Sequence, residues 1–235
     1  MPQKASKKLT PAMQQFERFK QRHPDCVLFF RMGDFYEMFY QDAELAHKVL
    51  GVTLTQRTEG VPMAGVPYHA VDGYLRRMIQ AGYRVAVCDQ VEDPAEAKGV
   101  VKRDVTRVVT PGTLTEEHLL DDATENPLAA VAFLDPKRVS DTVKKVSDTV
   151  SGDWIVAAAW AEVSTGAFRV AVFDQGEAAD ELARIGPREV LYVETSDRKP
   201  PPRVRELAAQ LGSPVLSGRP AWQFRHGEAA RMLCE

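Results

Sequence analysis

Arg31-Met32-Gly33-Asp34-Phe35-Tyr36-Glu37-Met38-Phe39 is the run around which the first half of the chain is organised. Gly33 offers a tight reversal after the apolar residues 26–31, so the stretch predicts a strand, a turn and a second extended segment. Side chains of a strand alternate between faces. Phe35 and Glu37 then share one face, and Tyr36 and Met38 share the other. A flat apolar ring beside a hydrogen-bond acceptor suits a partner that is planar and has polar edges, as a nucleobase is. Short aromatic runs are usually core strands, and the run alone favours that reading over a nucleobase contact.

Upstream, Thr10-Pro11 starts a helix, with the hydroxyl placed to cap it and the proline tolerated in its first turn. Met13, Phe16 and Phe19 form its apolar stripe, and His23-Pro24 ends it. Downstream, Asp42 is expected to cap a helix that reaches Leu50 and stops at Gly51, and residues 52–57 alternate as a strand does. Residues 61–69, Val61-Pro62-Met63-Ala64-Gly65-Val66-Pro67-Tyr68-His69, carry too much proline and glycine for regular structure. Tyr74, Leu75, Met78 and Ile79 mark a further helix ended by Gly82. Strands are expected at 84–90 and 102–110, and Asp93-Pro94-Ala95-Glu96 between them reads as a helical capping box. The first half is mixed α/β.

After Glu125-Asn126-Pro127, three strands are expected in sequence at 128–134, 154–163 and 167–173, the last two joined by a turn at Ser164-Thr165-Gly166. A helix at 178–185, a strand at 189–193, a helix around 204–211 and a short strand at 214–216 follow, with a helix-like tail over 226–235. Three strands, then helix, strand, helix, strand is the order of a ribonuclease-H-like domain. Between the first two strands, residues 139–143 (Val-Ser-Asp-Thr-Val) recur as residues 146–150. Two copies are too few for a solenoid, and a duplicated polar hairpin extension is the plain reading.

The 235 residues suffice for one large or two ordinary domains, and 44% apolar with 27% charged residues is the composition of a soluble globular protein. No membrane span or signal peptide is recognisable, which places the protein in the cytosol. Cys26, Cys88 and Cys234 are widely spaced and read as reduced thiols, not as metal ligands or a disulfide framework. Net charge is −3, but residues 1–114 hold 16 Lys and Arg against 13 Asp and Glu, and the remainder 14 against 20. A mildly basic first half fits contact with a polyanion. Arg31, Arg57, Arg76, Arg77, Lys98, Lys102, Arg103 and Arg107 lie near expected element ends, where together they can position the protein on a duplex.

Gly60 and Gly65 have phosphate-loop spacing, but Val66-Pro67 stands where lysine and a hydroxyl are required, so no nucleotide site is expected. No Gly-x-Ser-x-Gly elbow marks a serine nucleophile. The ribonuclease-H-like order suggests an alternative, a metal-dependent nuclease with an accessory DNA-binding domain, its metals held by carboxylates near strand ends such as Asp135, Glu162, Asp174 and Glu194. Such a set should include a carboxylate well inside the first strand, and residues 128–134 have none.

Three motifs occur in order: Gly33-Asp34-Phe35-Tyr36-Glu37, Pro62-Met63-Ala64-Gly65-Val66-Pro67-Tyr68-His69-Ala70, and Val108-Val109-Thr110-Pro111-Gly112-Thr113. With them the chain resembles the N-terminal part of the bacterial MutS family, from about Thr10 to its end. The resemblance implies an α/β chain with a mixed-sheet mismatch-binding domain over 1–115 and a linker over 116–126. A ribonuclease-H-like connector without nuclease function then follows over 127–235, truncated at its C-terminus. It implies a role in DNA mismatch repair, by binding double-stranded DNA with mismatches or small loops. The family's Phe-x-Glu motif falls on Phe35, which enters from the minor groove and stacks on a mispaired or unpaired base, and on Glu37, which hydrogen-bonds that base. Arg57 and Arg107 are further candidates for phosphate contact, and Met63 and Tyr68 for support along the groove.

The repeated segment departs from the family pattern by enlarging a connector loop. The family's lever, clamp and ATPase domains are not in the sequence. The chain is therefore expected to be an N-terminal fragment, not itself an enzyme, with no catalytic residue, metal or cofactor. ATP and magnesium belong to the family's C-terminal domain. MutL is the implied protein partner through the connector. Full-length members form homodimers, whereas the fragment is expected to be monomeric, cytoplasmic, nucleoid-associated when bound to DNA, and without membrane contact.

Overall fold

The computed structural model describes residues 9–93, 97, 99–113, 126–135, 154–225, 227 and 231. The expected capping box at Pro94, the linker at 116–126 apart from Asn126, the duplicated segment and most of the C-terminal tail lie outside the described residues. The chain divides into two compact units, Met1–Thr110 and Pro111–Glu235.

In the first unit, α1 (Pro11–Arg22) is capped as its sequence requires, Thr10 Oγ1 accepting the Met13 N–H at 3.4 Å. Strands β1 (Val27–Met32) and β2 (Phe35–Phe39) follow, then α2 (Tyr40–Leu50), β3 (Thr55–Thr58), β4 (Val61–Pro67), α3 (Val71–Gln80), β5 (Val85–Gln90) and β6 (Arg103–Val109). The six strands form one mixed sheet in the order β3-β4-β2-β1-β5-β6, with β1 parallel to β5 and the other pairs antiparallel. Met13, Phe16 and Phe19 of α1 pack on the face that carries Leu28, Phe30, Phe39, Ala86 and Cys88. Phe16 meets Phe30 and Phe39 edge-on, at 5.8 and 5.0 Å between ring centres. The alternate residues Phe29, Tyr36, Met38, Ala64, Val66, Val85 and Val87 are buried on the opposite face, where α2 and α3 pack.

Two expectations are overturned here. Asp42 does not cap α2, whose N-cap is Phe39. The Asp42 carboxylate is instead buried, accepting the Leu28 N–H at 3.0 Å and pairing with Lys20 Nζ at 2.7 Å, because that strand amide needs an acceptor away from water. Residues 61–67 are not irregular but form β4. Its prolines are tolerated because each lies where only one neighbouring strand pairs: Pro62 faces Gln56 in the irregular β3 ladder, and Pro67 faces Phe35 of β2. Strand β3 is shorter than expected.

In the second unit, β7 (Leu128–Leu134), β8 (Ile155–Glu162) and β9 (Ala167–Asp174) form an antiparallel meander. Then come α4 (Ala178–Ile185), β10 (Glu189–Val193), α5 (Pro202–Gln210) and β11 (Val215–Arg219). The sheet order is β11-β10-β7-β8-β9, with β10 parallel to both β7 and β11. Helices α4 and α5 bury Leu182, Val204 and Leu207 against Ala129, Val131, Val156, Ala158, Val190 and Tyr192. Pro111-Gly112 is already part of this unit. The Gly112 N–H donates at 3.1 Å to the fully buried Glu189 carboxylate, which also accepts the Ser217 hydroxyl at 2.5 Å. Among the described residues, no helix is long and apolar enough to cross a membrane.

Candidate functional site

The geometry around the opening motif follows from one turn. Gly33 takes φ +59°, a conformation open to glycine at little cost, and returns the chain so that Phe35 pairs with Met32 and Glu37 with Phe30. Arg31 Nε donates to the Gly33 carbonyl across the turn. The resulting strand has the predicted alternation. Phe35 is 48% exposed, Tyr36 and Met38 are buried, and the Glu37 side chain keeps 17% of its surface. Phe39 has the same parity as Phe35 but is covered by α1. The helix therefore shields the far end of this face and leaves the Phe35 end open.

On β4, Phe35 lies opposite Pro67 and Glu37 opposite Gly65. A β-carbon at Gly65 would stand 3.8 Å from the Phe35 ring and 4.0 Å from Glu37 Cγ. The ring and the carboxylate are thus flanked by bare backbone. Glu37 Oε2 is bound by Arg57 Nη1 at 2.5 Å, although the two residues are 20 positions apart, because β3, β4 and β2 are adjacent. Burial raises the Glu37 pKa above its ordinary value, and the charges of Arg57 and Arg103 oppose that rise without cancelling it. The site therefore offers an exposed ring and an acceptor whose present partner is the end of a partly exposed side chain.

Residues 10–118 match the family model for MutS domain I. The chain is 44% identical over 234 residues to the DNA mismatch repair protein MutS of Rhodopirellula baltica, covering 97% of this chain and 25% of that protein. It is 47% identical over 186 residues to the protein of the same name from Pelotomaculum thermopropionicum, covering 76% and 20%. The chain belongs to the MutS family. It spans about a quarter of the length of the MutS relatives it matches.

Of the other candidate contacts in this MutS chain, Arg57 is at the site but is paired with Glu37. Met63 pairs with Phe39 and packs against the core beneath α1. Tyr68 is 44% exposed beyond the end of β4, with the Arg31 guanidinium 3.9 Å from its ring centre. Arg107 reaches Asp72 of α3 at 3.4 Å, on the face opposite Phe35. The structure thus does not bring Arg107 to the motif.

Among the remaining basic residues, Arg77 donates to the Val49 carbonyl at 3.3 Å and Lys102 lies 3.8 Å from Glu92. Lys98 lies outside the described residues. Arg103, one of the basic residues expected to help position the protein on a duplex, is turned inward instead. It is buried, donates to the Arg31 and Val101 carbonyls, stacks over Phe30 and acts electrostatically on Glu37. Its sequence signal is a charge at the start of an expected strand, which does not reveal burial.

Of the strand-end carboxylates of the second unit, Asp135, Asp174 and Glu194 follow their strands at one end of the sheet and Glu162 lies at the other. Glu162 and Asp174 sit at opposite ends of the β8–β9 ladder, about 23 Å apart at strand rise. Glu162 binds the Asn126 amide at 2.8 Å and the Ser164 hydroxyl at 2.7 Å, while Asp174 accepts the Glu177 N–H at 2.9 Å. Among the described residues, no group of three or more His, Cys, Asp or Glu is placed to hold a metal ion.

Proposed function

We propose that this chain binds duplex DNA at mispaired or unpaired bases, with Phe35 as the wedge that enters the stack and Glu37 as the group that hydrogen-bonds the base it meets. The observation that carries the reading is the exposed Phe35 ring beside the Glu37 carboxylate on an open strip of sheet within the region matched to MutS domain I. The relatives' printed name, DNA mismatch repair protein, points the same way.

Unstacking a duplex step costs a few kcal/mol, less where pairing is already defective. Discrimination then comes from deformability, not from reading sequence. An unpaired carboxylate near phosphates is repelled, and Arg57 neutralises Glu37 as the duplex approaches. The base's donor then takes over as the carboxylate's partner, and the Arg57 guanidinium is released toward phosphate.

For the second unit we read the order β11-β10-β7-β8-β9, a meander followed by two parallel strands, as a ribonuclease-H-like connector that serves as an interaction module, with MutL as its partner.

The test is a comparison of mismatched and matched duplex affinities at one salt concentration for wild type and Phe35→Ala. The preference for the mismatch is expected to disappear in the variant, while matched-duplex affinity stays within a few-fold. Equal preference in both proteins would refute the wedge.

A further inference from the structure

Tyr36 stands between the two site residues in sequence and faces the other side of the sheet. Its ring is buried near Phe29, at 6.4 Å between ring centres, and its hydroxyl reaches past β1 to donate to Asp89 Oδ1 on β5. The second Asp89 oxygen accepts the Thr106 hydroxyl of β6 at 2.5 Å. Thr106 is available because the β5–β6 register jumps between the pairs Val87–Arg107 and Cys88–Val105, which leaves Thr106 as the extra residue of a bulge. A bulge re-aims the side chain it carries. Burial and the bond to Asp89 push the Tyr36 phenol up to about 12, so it stays a proton donor throughout the working range.

Three strands are thus tied together directly behind Phe35 and Glu37. A phenylalanine at position 36 would fill the same apolar space, so the hydroxyl and its doubly anchored carboxylate do something that packing does not require. Helix α1 secures the Phe39 end of β2 and does not reach Phe35. A wedge that opens a base step is pushed back by the stack it enters, and a strand that yields would lose the distinction between stiff and weak steps.

We propose that Tyr36, Asp89 and Thr106 form a positioning brace that keeps Phe35 and Glu37 at a fixed height against the DNA, an inference that rests on the wedge reading above. None of the three touches the base. Their effect is on discrimination, through the strand that carries the ring.

The experiment titrates the 235-residue chain with a duplex carrying one G·T mismatch and with its matched counterpart, at one low salt concentration, after thermal melts have established that each variant is folded. Tyr36→Phe and Asp89→Ala are each expected to lower the mismatch preference by about three- to tenfold, the size of one ordinary hydrogen bond, with matched-duplex affinity unchanged. Asp89→Asn, whose amide can accept from Tyr36 and donate to Thr106, is expected to keep the wild-type preference. The double variant Tyr36→Phe with Asp89→Ala should lose no more than either single one. If Phe35→Ala abolishes the preference while Tyr36→Phe retains it, the brace is overturned and the wedge stands. If Phe35→Ala also retains it, the wedge reading fails and the brace with it. An equal loss of affinity for both duplexes in Tyr36→Phe would reduce the residue to a structural role and overturn the proposal.

Discussion

Glu37 and Glu189 are both sheltered carboxylates on a sheet, one in each unit, and their partners differ in kind. Glu189 is completely buried and is held by a backbone amide and by the hydroxyl of a neighbouring strand, groups that cannot move without moving the fold. Gly112 makes this possible, since a β-carbon there would come within 2.8 Å of Leu128 and 2.9 Å of Glu189 itself. Glu37 keeps part of its surface and is held by the tip of Arg57, a long side chain that is 30% exposed. Fixed partners make a carboxylate part of the scaffold. A movable partner leaves it able to exchange one donor for another, which a recognition site needs.

The strongest way to break this contrast is to remove Glu189. Glu189→Ala leaves the Gly112 amide and the Ser217 hydroxyl unpaired in a closed interior, and a loss of about 3 kcal/mol is expected. Urea unfolding followed by tryptophan fluorescence reads the right unit, because Trp154, Trp160 and Trp222 all belong to the second one. A midpoint within error of wild type would mean that the buried network contributes nothing to holding the Pro111-Gly112 segment.

What was legible in the sequence follows the same division between local and distant partners. Helix α1 was readable because its cap, its proline and its apolar stripe lie within one segment, and β7, α4 and β10 were readable from periodicity bounded by turn residues. The alternation of Phe35, Tyr36, Glu37 and Met38 was likewise readable, being a property of an extended chain. Strand β4 was not, because whether a proline breaks a strand depends on which neighbours pair beside it, and that is a property of the assembled sheet. Asp42 looked like a cap because the amide that claims it is 14 residues away. The Arg57–Glu37 pair and the Tyr36–Asp89 bond span 20 and 53 residues, so no spacing rule reveals them.

Arg57→Ala sharpens the contrast at the movable end. Because the pair is partly exposed, the stability loss is expected to stay below about 1 kcal/mol, against the larger loss at Glu189. Affinity for both duplexes should fall, and the slope of log affinity against log salt should become shallower by about one if the freed guanidinium contacts phosphate in the complex. An unchanged slope would place Arg57 on Glu37 in the bound state as well and remove the partner exchange.

Glu37→Gln is the mildest test, and its sign is set by the electrostatics. Burial raises the folded-state pKa of Glu37 above its ordinary 4.5, net of the opposing charges of Arg57 and Arg103. Below that ordinary value the carboxyl is protonated in folded and unfolded chains alike, and its ionisation costs the fold nothing. As pH rises the unfolded chain ionises first, so wild-type stability declines until the folded carboxyl ionises too. Glutamine can still accept from Arg57 and carries no such cost. The stability of Glu37→Gln relative to wild type should therefore increase between pH 4 and pH 7, read as greater protection of the amides of residues 36–39 in hydrogen exchange after correction for intrinsic rates. A gap that narrows over that range would mean that Arg57 more than compensates the burial of the carboxylate, making Glu37 as firmly held as Glu189 and erasing the difference between the two sites.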